Sequence, residues 1–176
     1  MNYRRKHKVG VDVEIDSLQK YLYDNIVCKW NLDDFNGYGR VYKNKRNKLI
    51  IPEYYVSEKE YKEVLLDDRL NGIMFFSTSN FAKTYGTLLV QDVDIIFTFN
   101  LSSLQFCEER EDEYIRQYIY SLMNQYSSKQ EVKQITTGLN NVYSDYNGVA
   151  DYFFDMQDFH HFKITTEIRY FNKNCI

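Results

Sequence analysis

Two carboxylates two residues apart, Asp92 and Asp94, come nearest in type and spacing to catalytic chemistry. Residues i and i+2 of a strand project from one face, and a carboxylate pair so placed can hold Mg²⁺ for phosphoryl transfer. The flanking sequence predicts instead an exposed polar sheet face. The Gly-Ser turn that such a site places ahead of the pair is lacking, since Gly72 is followed by Ile73 and Ser77-Thr78-Ser79 does not supply it. His160 and His161, behind Asp155 and Asp158, form the other cluster of metal-ligand types. Adjacent strand residues point to opposite faces, so these imidazoles cannot share an ion without a bulge. A polar strand entry beside Phe153, Phe154, Phe159 and Phe162 is expected, with no metal and no cofactor. No Ser, Thr or Cys sits in a nucleophile elbow, and no Gly-rich phosphate loop of either common type occurs. The reading is a non-enzyme without catalytic residues.

Periodicity defines the elements that would carry these side chains. Leu18, Leu22, Ile26 and Trp30 recur every fourth position from Asp16 to Trp30, which predicts an amphipathic helix. Asp16 with Gln19 resembles a capping box, and Asn31 to Gly39 is a turn-rich stop. Arg40–Lys43 and Leu49–Ile51 flank a polar tip, Asn44–Asn47, so a hairpin ending near Pro52 is predicted. Ser57 with Glu60 reads as a second capping box opening a short helix that Asn71-Gly72 closes. Ile73–Phe76 reads as a buried strand. Leu88–Leu101 alternates Val93, Ile95, Phe97 and Phe99 against Asp92, Asp94, Thr98 and Asn100, a long strand. Glu108–Tyr126 opens acidic and carries Ile115, Ile119, Leu122, Met123 and Tyr126 on one stripe, a second long helix. Val132–Tyr146 suggests a loop excursion, and Phe162–Tyr170 alternates as a closing strand. The expectation is a basic arm, 1–15, and one α+β domain, 16–176, with a loop insertion at 127–160. Its architecture is two-layer, a mostly antiparallel sheet with two long helices packed on one face.

Composition bounds the class. A chain of 176 residues, 44% hydrophobic with net charge -3, is one ordinary domain's worth of material and excludes a disordered chain. No apolar run approaches the roughly 18 residues of a spanning helix, so no membrane partner is expected. Asp12 and Glu14 interrupt the stretch after the basic start, and no signal-peptide apolar region is read there. Cys28, Cys107 and Cys175 are odd in number and far apart, which predicts reduced thiols. Charge is unevenly placed. Arg4, Arg5, Lys6 and Lys8 crowd the start and Arg40, Lys43, Lys45, Arg46 and Lys48 the hairpin, while Glu108, Glu109 and Glu111 open the second helix. These groups could pair between neighbouring copies in a ring, or the basic ones could touch nucleic-acid phosphate. The 17 Tyr and 12 Phe exceed what one core of this size needs, and aromatics are enriched at interfaces. That excess favours an assembly subunit.

The layout resembles the tail-terminator and tail-completion (head-tail joining, neck ring) proteins of tailed bacteriophages. Those proteins run from an N-terminal helix through a hairpin, a long central strand and a second helix to a final strand. The matching pieces are Asp16–Trp30, Arg40–Pro52, Leu88–Leu101, Glu108–Tyr126 and Phe162–Tyr170, and Asp155–Phe162 looks like the family's approach to its closing strand. Abundant Asn, Lys, Tyr and Ile also look like AT-rich phage coding, including that of crAss-like phages. The resemblance implies a non-enzymatic virion subunit of the neck or tail, made in the bacterial host cytoplasm. It would form a six- or twelve-fold homo-oligomeric ring between portal or connector and tail proteins, touching genomic DNA transiently as the genome passes. The extra Ser57–Leu70 and Ser127–Tyr152 stretches depart from a compact member. Two other classes compete: a metal-dependent nucleotidyltransferase-like enzyme built on Asp92 and Asp94, and a nucleic-acid-binding module using the basic arm and hairpin.

Overall fold

Apolar residues at helical spacing begin five positions before Asp16. In the computed structural model, helix α1 runs Val11–Trp30, so Val11 and Ile15 extend the buried stripe of Leu18, Leu22 and Ile26. Gly10, at φ 57, starts it, and Asn31 ends it in the left-handed conformation with its N–H bonded to the Val27 carbonyl. Asp16 therefore lies within the helix and is no cap. The structure describes residues 1–4, 8–57, 60–64, 67, 69–104, 112–127, 129–149 and 158–171.

The strands are β1 (Asn2–Tyr3), β2 (Phe35–Arg46), β3 (Leu49–Ser57), β4 (Glu60–Glu63), β5 (Gly72–Thr78), β6 (Lys83–Tyr85), β7 (Leu88–Asn100), β8 (Gln130–Thr137) and β9 (Phe159–Phe171). Helices α2 (Asp112–Tyr126) and the short α3 (Leu139–Val142) complete the described elements with a 3₁₀ turn, Leu101–Ser103. The fold is α+β, with one large and mostly antiparallel sheet ordered β4-β3-β2-β5-β7-β9-β8. Only β1 and β5, both beside β2, pair in parallel. β6 joins β7 off the main path.

Three further expectations change. The β2–β3 tip is two residues, Asn47 and Lys48, both at positive φ, with Arg46 opposite Leu49. That is the hairpin turn whose twist matches the flanking strands, so β2 and β3 run further than the polar Asn44–Asn47 suggested. Ser57 and Glu60 open no helix: β4 pairs with β3, and the Ser57 hydroxyl donates to the Glu60 carboxylate at 3.0 Å across the turn. Within 127–160, Gln130–Thr137 is the strand β8, hydrogen-bonded along β9. Its mostly exposed side chains hide it from periodicity, because an edge strand is held by backbone bonds to one neighbour.

Alternation along β7 and β9 divides the core. Val93, Ile95, Phe97, Phe99, Phe162, Ile164, Ile168 and Tyr170 share one cluster with side chains from both α1 and α2. On the opposite face, Ile73, Phe75 and Ile96 pack with Val142, Tyr143, Tyr146 and Val149. The α3 segment thus covers part of the second face.

Candidate functional site

Asp92 and Asp94 lie on the second face of β7, as their spacing predicts. Asp94 is occupied by its neighbours on β9: the Thr165 hydroxyl donates to it at 2.6 Å, and the Lys163 ammonium stands 3.5 Å away. Asp92 is exposed and lies opposite Glu167, which in turn lies opposite Glu131 of β8. Three carboxylates therefore form a row, bordered by Arg169, 3.1 Å from Glu131 and 3.6 Å from Glu167, and by Lys83, 3.9 Å from Glu167. Among the described residues, no group of three or more His, Cys, Asp or Glu is arranged to hold a metal ion.

His160 and His161 sit on opposite faces of β9, each buried to 8% exposure. His160 faces the helix layer, with Nδ1 3.5 Å from the Asp112 carboxylate at the start of α2 and its ring 5.3 Å from that of Phe162. His161 faces the α3 segment. Its Nδ1 is 3.0 Å from the Thr98 hydroxyl, which is 2.6 Å from the Tyr143 hydroxyl, so a buried polar chain crosses from β9 through β7 to the cover. Burial, with His160 as a lesser cause, pulls the His161 pKa down to about 4. Burial also raises the Tyr143 hydroxyl's pKa, a rise that the Thr98 hydrogen bond only partly opposes. Both groups are thereby kept neutral near pH 7. A cleft of about 430 Å³ opens beside the histidines, lined also by Asp112, Arg116, Leu139 and Phe159.

The basic residues singled out from the sequence are mostly engaged within the chain. Arg4 and Lys8 both pair with Asp16, and the Arg40 guanidinium is 3.1 Å from Asp12. Both carboxylates are buried, at 6% and 5% exposure. Burial alone would raise the Asp16 pKa, but hydrogen bonds from Arg4 and Lys8 outweigh it and hold the pKa below the usual value. Lys43 reaches Asp145 at 2.6 Å, and Arg46 pairs with the buried Glu53, which also accepts from Asn44 at 2.5 Å. Lys45 and Lys48 make no ion pair with described residues. Arg5, Lys6, Glu108, Glu109 and Glu111 lie outside the described residues, as do Cys107, Cys175 and Asp155.

Sequence reading missed Asp12, Asp16, Glu53, Glu131, Glu167 and Arg169. Asp12 and Asp16 fall on the buried side of α1, four apart as Leu18 and Leu22 are, and carboxylates on an apolar stripe are the signal that remote cations must meet them. No protein-family model matches the chain, and no curated protein matches it either.

Proposed function

We propose that the chain is a structural subunit of the head-tail joining region of a tailed phage virion. In this reading it assembles as a homo-oligomeric ring, six- or twelve-fold, stacked between portal or connector and tail proteins, with the genome passing through its lumen. The carrying observation is aromatic surface. Phe81, Tyr85 and Phe171 are 80%, 63% and 62% exposed, and Tyr85, Leu88 and Phe171 form one row across β6, β7 and β9. Exposed aromatic groups gathered at one end of a sheet mark a contact surface. A heterologous contact there, repeated by rotation, closes a ring. The α3 segment covers part of the second face, and the aromatic row at the end of β6, β7 and β9 is left for neighbours. No helix among the described residues is long and apolar enough to cross a membrane.

Light scattering and negative-stain imaging of the purified protein, alone and with portal and tail proteins, test the proposal. Rings, free or templated on a partner, are expected, and Tyr85→Ser with Phe171→Ser should prevent them. A monodisperse monomer that never assembles with any partner overturns the reading. The engagement of Asp94 by Thr165 and Lys163 gives the nucleotidyltransferase alternative no supporting observation.

A further inference from the structure

The two edges of β2 are covered unequally. On one side β2 pairs with β5 from Phe35 to Val41, and on the other β3 pairs with it only from Val41 to Arg46. The stretch that β3 does not reach is taken at Gly37 and Tyr38 by the two residues of β1, and the Gly37 N–H donates to the Met1 carbonyl at 2.8 Å. Phe35, Asn36, Gly37 and Tyr38 are all buried, whereas Met1 and Arg4 are exposed and Asn2 and Tyr3 half-buried. Residues 1–4 therefore add little apolar burial, and what holds them is mostly polar. The Gln19 amide donates to the Asn2 side-chain oxygen at 2.7 Å and to the Tyr3 carbonyl at 3.1 Å. The Tyr3 ring lies flat on that of Tyr38, centroids 4.6 Å apart. Arg4 Nε donates to the Asp16 carboxylate at 3.0 Å, and Lys8 stands 2.7 Å from the same carboxylate. A segment with so little burial opens at lower free energy than the strands of a core. Asp16 opposes that opening. It is 6% exposed, and Arg40, the cation that β2 brings to this part of α1, is directed to Asp12 at 3.1 Å. Withdrawing Arg4 strips a buried carboxylate of a compensating charge, which is far costlier than losing a surface ion pair.

We propose that residues 1–4 form a strap that opens as a unit separate from the core, with Asp16 as its lock, and that its opening uncovers the β2 edge at Gly37 and Tyr38. The strap is held shut by what Asp16 would lose, so a neutral side chain of the same shape at that position frees it. The sheet beneath stays intact, because β2 keeps β5 on one side and β3 beyond Val41 on the other. The inference does not rest on the ring reading.

Amide hydrogen exchange followed residue by residue by NMR, at fixed pH and temperature, tests it. The Gly37 amide reports the strap directly, because its N–H is bonded to Met1. The amides of Ile95 and Phe97, on a strand between β5 and β9, report the core. In the unaltered protein Gly37 should exchange about tenfold or more faster than Ile95 and Phe97. Asp16→Asn should speed Gly37 by about tenfold again and leave the two core amides as they were. Tyr3→Ser and Arg4→Gln, both on the strap itself, should shift Gly37 in the same direction, and they carry the test should Asp16→Asn fail to fold. Exchange of Gly37 no faster than that of Ile95 and Phe97 in the unaltered protein overturns the inference. So do folded variants that leave Gly37 unchanged, and variants that speed all three amides alike, since residues 1–4 would then open only with the whole fold.

Discussion

The two faces of β7 and β9 share a backbone and differ in almost everything else. Under the helices, Phe97, Phe99 and Phe162 stack ring on ring, and Phe97 and Phe162 lie 4.9 Å apart. On the reverse, the same strands carry Asp94 paired with Lys163 and Glu167 paired with Arg169, beside an exposed Asp92. Strand alternation produces this division, but what each face contributes is set by water. The helix face is dry, so each side chain contributes its full burial. On the reverse, Asp92 and Arg169 are exposed, and ion pairs there are worth little individually, while Ile96, Thr98 and His161 are buried under the α3 segment. Stability therefore resides under the helices and under the α3 segment, and the end of the reverse face at Asp92 and Arg169 is open to interactions.

The largest effect should come from the dry face. Phe97→Ala removes a ring with no exposure and is expected to cost about 3–5 kcal/mol, read from urea unfolding. A loss as small as that of a surface substitution would break the contrast. Next comes pH, through His161, which is buried under the α3 cover. The His161 pKa is about 4 in the fold against 6.5 in the unfolded chain, so the fold favours the neutral ring. Its stability contribution is complete above pH 6.5 and is lost as pH falls toward 4, a change of about 3 kcal/mol. Urea melts across that window should show the loss, and His161→Gln should flatten it.

A smaller effect is expected from Thr166, a polar residue on the dry face with no exposure, whose hydroxyl donates to the Glu131 carbonyl at 3.0 Å. Thr166→Val should cost about 1 kcal/mol by chemical denaturation, sharpening how much of that face's stability is non-apolar. The smallest belongs to Asp92→Ala on the wet face, which should change stability by less than about 0.5 kcal/mol. If the same substitution abolished Mg²⁺-dependent nucleotide chemistry in an assay, the wet face would be an active site rather than a contact surface.

Much of this division was legible in advance. The alternation of Val93, Ile95, Phe97 and Phe99, and of Phe162, Ile164 and Ile168, names the dry face directly, and the four-residue repeat of α1 names what covers it. Elements decided by remote partners were not legible. Ser57 and Glu60 make the same side-chain bond at a strand turn that they would make at a helix start, so the local pattern does not distinguish the two. Gln19 looked like half of a cap. Its amide instead donates to Asn2, the Tyr3 carbonyl and the Gly37 carbonyl, sewing α1 to β1 and β2. The charged rows likewise exist only once β6, β7, β9 and β8 are in register, since no short stretch of sequence contains a whole row.

The position of β9 has a consequence for synthesis. It lies between β7 and β8 in the sheet, yet it is the last of the described strands to be made. While it is still being translated, β7 has β5 and β6 as partners on one side and an open edge on the other, with Ile95 and Phe97 lacking their β9 neighbours. A nascent chain stalled at that point presents a long apolar strand edge, the template on which aggregates grow. Yield in a heterologous host should therefore depend on how quickly translation passes β9 and on chaperones that shield β7 until it does.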